Sequence, residues 1–297
     1  MAGVLVVGEA LVDIVARADG SVLEYPGGSA ANVAVALARL GRPVELLTAY
    51  ADDPHGAVLA RHLNQSAVGV AGDPFALSRT ATAMATLADD GSASYTFDIE
   101  WRLNPVPDLS PVAVHTCSIG AVLAPGADDV RRLLERLRPH ATVSYDVNAR
   151  PAVTGTGPDV VQAVEDVAAL ADLVKASDED LEVLYPGDTV ERAVDRLLGL
   201  GPAAVVVTRG RRGATWFGRE ARVTAPALDI QVADTIGAGD TFGAAMLDAL
   251  WELDVLGGRL TGLEPAEIDT VLRRAARAAA VTVSRPGADP PYRHELP

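Results

Sequence analysis

Cysteine is nearly absent from this chain: Cys117 is the only one in 297 residues. An intrachain disulfide is therefore excluded, and the count fits a reducing compartment. Within an apolar stretch, Cys117 reads as a core residue. Lysine is equally scarce. Lys175 stands alone among 25 lysines and arginines, against 40 acidic residues. The formal charge of −15 argues against nucleic acid or an anionic membrane as partner. No apolar run approaches the roughly 20 residues that cross a bilayer. The apolar start at 4–7 is short, is broken by Gly8-Glu9 and follows no basic segment, so it does not read as a secretory signal, and a cytoplasmic protein is expected. Several chemical signatures are also missing. There is no Gly-x-x-x-x-Gly-Lys-Ser/Thr loop, no Gly-x-Gly-x-x-Gly after the first strand, no His-Glu-x-x-His and no cysteine pair for zinc.

What is present is a large apolar fraction, 49%, enough for a substantial core without metal or disulfide support. Strand-like and helix-like segments alternate along the chain. Strands are expected at 4–7, 44–48, 112–119, 142–146, 173–175 and 204–208, and helices at 30–40, 127–137, 160–170, 190–200, 241–251 and 265–283. This rhythm predicts an α/β fold, a mostly parallel central sheet with helices on both faces, forming one domain over 1–297. Two hairpins break the rhythm, at 11–25 and 81–99, with turns at Asp19-Gly20 and Asp90-Gly91. Together they predict a small antiparallel β lid.

The segment Asp234-Thr-Ile-Gly-Ala-Gly-Asp-Thr-Phe-Gly243 is the most chemically pointed part of the chain. Residues 228–232 alternate like a half-buried strand, and Phe242, Ala245, Met246, Ala249 and Leu250 recur at helical spacing. Gly237, Ala238 and Gly239 should then form the turn that opens a helix, where unpaired N–H groups and the dipole attract phosphate. Asp240 would stand beside that anion, placed to take a proton from an attacking hydroxyl. The plainer reading is an acidic first-turn residue that favours the dipole. A second Gly-rich helix entry, Gly27-Gly-Ser-Ala-Ala-Asn32, leads into an Ala-rich run that ends at Gly41. Ser29 can cap this helix, and Asn32 offers both a donor and an acceptor.

In their order and separation these two motifs resemble the paired signatures of the ribokinase-like, or PfkB-type, carbohydrate kinases. The resemblance runs from Val6-Val-Gly-Glu-Ala-Leu-Val-Asp13 to Arg285-Pro-Gly-Ala288. It implies an ATP-dependent, Mg²⁺-requiring kinase acting on a primary hydroxyl of a monosaccharide, with fructose the first choice. A 2-keto-3-deoxygluconate kinase comes next, through Arg102 and Arg150 pairing with a substrate carboxylate, and then a ribokinase or nucleoside kinase. Ribokinase ranks lower because its acidic sugar ligand is missing from a strand end at 119–123. From another class, a catalytically silent sugar sensor is disfavoured by the intact Asp240.

The resemblance also assigns residues. Asp240 would be the base, and the amides of Gly237, Ala238 and Gly239 would stabilise the phosphoryl oxygens. Asp13, Gly27, Gly28, Asn32 and Arg150 would bind the sugar, Arg150 from the pattern Asp146-Val-Asn-Ala-Arg150. Lys175, Ser177, Thr208, Gly210, Gly239, Ala276 and Ala279 would serve the nucleotide, although core packing explains the two alanines equally well. Asp180, in place of the family's glutamate, would act indirectly on Mg²⁺, with a helix-cap role as the alternative. Asp234 and Gly287 match contributors to a K⁺ site. The lid implies a homodimer.

Overall fold

The computed structural model describes residues 3–16, 21–87, 93–219 and 221–296. Both expected turn tips, Asp19-Gly20 and Asp90-Gly91, lie outside them. Thirteen strands occur among the described residues: β1 (Val4–Val7), β2 (Leu11–Ala16), β3 (Val22–Gly27), β4 (Val44–Leu47), β5 (Gly69–Val70), β6 (Thr82–Leu87), β7 (Ala93–Asp98), β8 (Ala113–Cys117), β9 (Thr142–Asp146), β10 (Leu173–Ser177), β11 (Ala204–Thr208), β12 (Ala214–Gly218) and β13 (Arg222–Ala225). Nine of them form one sheet in the order β13-β12-β11-β10-β9-β8-β1-β4-β5. Neighbours from β11 to β5 run parallel, and β12 and β13 close one edge antiparallel.

The alternation within each strand sorts the core into two layers. Leu5, Val7, Val114, Val143 and Val205 pack with Leu133, Val164 and Leu197 on one face. Val4, Val6, Leu46 and Ala113 pack on the other with Val33, Ala34, Leu37 and Leu247. The helices are α1 (Ser29–Arg39), α2 (Pro54–Gln65), α3 (Ser118–Val122), α4 (Gly126–Leu137), α5 (Pro151–Thr154), α6 (Pro158–Ala168), α7 (Asp178–Leu184), α8 (Val190–Gly199), α9 (Ala238–Glu252) and α10 (Pro265–Val283). α4, α6 and α8 cover the first face, and α1, α9 and α10 cover the second. Strands buried on both faces read as continuous apolar runs, which is why the parallel sheet was legible in the sequence.

The remaining four strands form a second sheet, β3-β2-β6-β7. Each hairpin is antiparallel, and the two meet through a parallel β2–β6 pairing. Three local expectations are corrected. Residues 228–232 are not a strand: the chain leaves the sheet after β13 and crosses as a loop with Leu228 and Val232 exposed. The segment 118–122 is the short helix α3 instead of the end of β8. Ser29 does not cap α1. Gly28 holds that position with φ +98°, and an added Cβ there would lie 2.7 Å from Glu9 O, so only glycine fits.

Candidate active site

The first turn of α9 meets the first turn of α1, and the two helices together build the centre of the site. Asp240 is buried; its Oδ1 accepts a hydrogen bond from Ser29 Oγ at 2.6 Å, and its Oδ2 accepts one from Asn32 Nδ2 at 2.8 Å. The Ser29 hydroxyl is thus spent on Asp240, more than 200 residues away, which explains why it does not cap its own helix. Asn148 Nδ2 donates to Ser29 Oγ at 2.9 Å, and Ser118 Oγ donates to Asn148 O at 3.0 Å. Ser118 and Asn148 both sit in the left-handed region, at φ +51° and +38°. Strain of this kind is held in place by such surrounding bonds and gathers at working sites.

The turn before Asp240 has the form the glycines predict. Gly237 is left-handed at φ +74°, and a Cβ there would meet Ala288 at 2.7 Å. Gly239 has open space on its Cα except for Lys175 Nζ, 3.4 Å from where a Cβ would stand. Thr241 N–H returns to Gly237 O at 2.9 Å, while no acceptor among the described residues takes the Gly239 or Asp240 amide. The helix end therefore keeps free donors where an anion would dock.

Lys175 fills the floor of this turn. Its Nζ donates to Asp146 Oδ2 at 2.7 Å, with both residues buried. Burial alone would lower the ammonium pKa, but Asp146, Asp180 and Asp240 together hold it above its usual value. Asp146 is pushed up to about 6 by burial, with Lys175 opposing, and its Oδ1 has no partner. Ser177 and Asp180 form a reciprocal capping box on α7, at 2.9 and 2.7 Å. The second Asp180 oxygen accepts from Ala149 N at 2.8 Å. Both Asp180 oxygens thus accept backbone amides, tying the β10–α7 turn to the Asn148 loop, while Asp146 keeps an open oxygen.

On the lid side, Asp13 stands in the middle of β2, with its carboxylate pressed against Gly27, where an added Cβ would come within 2.3 Å. Burial raises its pKa to about 6, and Arg150 opposes the rise, so these two expected sugar ligands face one another electrostatically. The Arg150 guanidinium itself holds Ala149 O at 2.9 Å. Asp234 accepts from Gly287 N at 2.9 Å and from Ile236 N at 3.1 Å, which brings the two expected cation contributors together. Burial would raise Asp234, but these amides and that of Thr235 hold it below the ordinary value. Thr208 ends β11, and Gly210 opens onto empty space at φ +50°. Ala276 and Ala279 are half-buried on α10. Arg102 does not join the site. It is exposed and pairs with Glu100 at 2.8 Å, while the neighbouring Trp101 is buried with its Nε1 on Gly120 O.

Four residues of the site were given no role from the sequence: Ser118, Asp146 and Asn148, described above, and Glu9. Glu9 is buried beneath the two helix starts, its Oε1 accepting from Ser29 N at 3.3 Å and its Oε2 from Gly120 N at 2.8 Å. Burial lifts its pKa to about 7 against those amides, with Asp240 adding to the rise. The sign follows from linkage. A carboxyl whose folded pKa lies above its unfolded value binds more protons when folded, so its contribution to stability is lost as pH rises through about 7. Between pH 5 and 8 Glu9 alone should remove on the order of 2–3 kcal/mol. The expected result is a clearly flatter pH dependence of urea-unfolding stability in Glu9→Gln; a wild-type slope in that variant would exclude Glu9 as the source.

Comparison with known proteins finds relatives over nearly the whole chain. The family model for pfkB family carbohydrate kinases matches residues 1–295. A fructokinase from Rhizobium leguminosarum bv. trifolii is 33% identical over 279 residues, covering 90% of this chain and 84% of that protein. The structure of a fructokinase from Xylella fastidiosa with bound ATP superposes with a TM-score of 0.86 at 29% identity, over 96% of this chain and 93% of that one. A double-mutant fructokinase from Vibrio cholerae, in its fructose-, ADP- and potassium-bound form, gives 0.78 at 25% identity, over 97% and 94%.

Proposed function

The chain belongs to the pfkB family of carbohydrate kinases, and from that membership we propose that it transfers the γ-phosphoryl group of ATP to a primary hydroxyl of fructose. The observation that carries this reading is Asp240, held by Ser29 and Asn32 at a helix end whose amides lack partners. The sugar lies between Asp240 and the lid, with Asp13, Gly28, Asn32 and Arg150 around it. Asp240 orients the hydroxyl and accepts its proton as the bond to phosphorus forms. The Gly239 and Asp240 amides, with Lys175 behind them, meet the charge on the transferring oxygens. Mg²⁺, brought with ATP, would neutralise further charge on those oxygens. Among the described residues no group of three metal-ligating side chains occurs. The Asp146 oxygen that has no hydrogen-bond partner is the carboxylate we assign to such a cation. Asp234 and Gly287 are the residues we assign to K⁺. Ala276 and Ala279 form one wall of the adenine site, next to the exposed Leu228 and Val232 loop, which docks through Ala233 N on Val283 O at 2.8 Å.

Coupled ADP-release measurements across fructose, ribose, adenosine and 2-keto-3-deoxygluconate test the substrate. Fructose should give the highest kcat/KM, and Arg102→Ala should leave its kinetics unchanged, because Arg102 is committed to Glu100 on the surface. Efficient turnover of the acidic sugar, lost in Arg102→Ala, would reverse the assignment.

The β3-β2-β6-β7 sheet is assigned as the lid. Asp13, Tyr25, Ala83 and Phe97 share one face by register, so substrate contact and apolar cover come from the same surface. Tyr25 and Phe97 are exposed on that face; the other packs Val12 and Ile14 into the core but leaves Val22 and Met84 exposed, and it is through the exposed parts of this sheet that we infer the homodimer forms. Saturation with fructose and a non-hydrolysable ATP analogue should slow amide exchange in β2, β3, β6 and β7. Unchanged exchange in all four strands would remove the closing lid.

A further inference from the structure

Away from the catalytic turn, α10 and the C-terminal segment enclose a hollow of about 420 Å³ lined by Thr270, Arg273, Arg274, Arg277, Arg293 and Leu296. Four guanidiniums on one concavity are unexpected in a chain of net charge −15. Among the described residues, none that lines it is acidic. The carboxylates that meet these arginines lie to the side or beneath: Asp269 pairs with Arg273, buried Asp248 pairs with Arg274 and Arg293, and Glu252 pairs with Arg293. Glu252 and Asp248 are shared with Arg42. Among the described residues, four arginines, Arg42, Arg273, Arg274 and Arg293, thus share three carboxylates. Arg277 has no partner among the described residues, and Arg274 Nε is buried without an acceptor. Arg273 and Arg277 lie one turn apart on the same helix, where like charges repel.

We propose that this hollow is a binding site for a small molecule bearing at least two phosphoryl groups, and that its occupancy is felt at the active site. Guanidinium forks match phosphate oxygens in geometry and charge. The volume lies within the range of small-molecule sites and exceeds what a single inorganic phosphate needs. The route to the active site is short and specific. Arg274 and Arg293 both hold Asp248, which lies two turns beyond Asp240 on α9. Arg293 Nε also donates to Leu40 O at 2.6 Å, at the end of the helix that begins with Ser29 and Asn32. A polyanion that draws these guanidiniums outward loosens the far ends of the two helices whose near ends hold the catalytic carboxylate.

The test uses pyrophosphate as probe, with fructose and a non-hydrolysable ATP analogue saturating the catalytic site so that its own anion cradle is closed to the probe. Isothermal titration should detect binding to the wild-type protein, weakened about tenfold or more in Arg273→Ala/Arg277→Ala. Arg277→Gln alone, an exposed change unlinked to the ion network, should weaken it in the same direction and guards against misfolding of the double variant. In steady-state assays without the probe, both variants should match wild type. In wild type pyrophosphate should change kcat or the fructose KM at saturating ATP, and the double variant should not respond. No binding up to 10 mM (~10⁴-fold above the micromolar affinity scale), or equal binding by both variants, would overturn the site. Binding without any kinetic response would overturn the coupling. The loss of pyrophosphate binding on substituting Arg273 and Arg277 reads the hollow whichever substrate the catalytic site takes, because those residues lie outside that site, whereas the kinetic arm rests on the proposed reaction, so the two failures are distinguishable.

Discussion

Asp240→Asn should fold, bind ATP and lose about 10²–10⁴-fold in turnover, the usual range for loss of a general base. The structure explains why the fold survives. The carboxylate accepts from Ser29 Oγ and Asn32 Nδ2, one bond at each oxygen. An amide at 240 can still accept from Ser29. The Asn32 side chain can turn its own oxygen toward the new NH₂, so neither buried group is orphaned. What the amide cannot do is take the proton of the sugar hydroxyl. Fructose KM should change far less than kcat if Asp13, Gly28 and Arg150 hold the sugar as proposed. The checks are coupled ADP release and ATP titration on protein whose unfolding transition matches wild type. Wild-type turnover in such a preparation would return the Gly-Ala-Gly-Asp turn to a mere helix start, with Asp240 only favouring the dipole.

Much of this arrangement was readable in the sequence because its signals are local. Gly237, Gly239 and Asp240 lie within four residues, and a left-handed turn opening a helix needs glycine at a definite place. The parallel sheet showed itself as apolar runs, and the hairpins as breaks in that rhythm. The failures are of two kinds. Residues 228–232 carry the period of a strand, but period alone supplies no neighbour, and β13 already occupies the sheet edge. The helix α2 was overlooked although Asp53-Pro54 marks its start, with Asp53 Oδ1 accepting from Gly56 N at 2.7 Å. Long-range partners were the other failure. Nothing near Ser29 says that its hydroxyl is claimed by Asp240, and nothing near Glu9 says that it bridges α1 and α3. The available hint was a glutamate standing between two apolar strands, a position where a carboxylate needs a buried purpose.

Lys175→Met should cost both stability and turnover, and a second substitution separates the two. Lys175 and Asp146 form a buried ion pair, each 5% exposed or less. Removing one partner of such a pair typically costs about 3–5 kcal/mol, because the other charge is left uncompensated. The loss should be largest at alkaline pH. Without the ammonium, the already raised pKa of Asp146 climbs further, so acidification protonates and neutralises it and restores part of the stability. Arginine is not expected to rescue the position, because a bulkier planar guanidinium would have to replace a compact ammonium that is 5% exposed and already paired with buried Asp146. Lys175→Met/Asp146→Asn removes both charges and should recover most of the lost stability in urea unfolding. If Lys175 also faces the transferring phosphate, turnover in that double variant should stay about 10²-fold or more below that of Asp146→Asn alone, the scale of losing one preorganised donor. Recovery of turnover together with stability would make Lys175 only the counter-ion of Asp146, and the charge opposite the phosphoryl group would then have to come from the helix-end amides and Mg²⁺ alone.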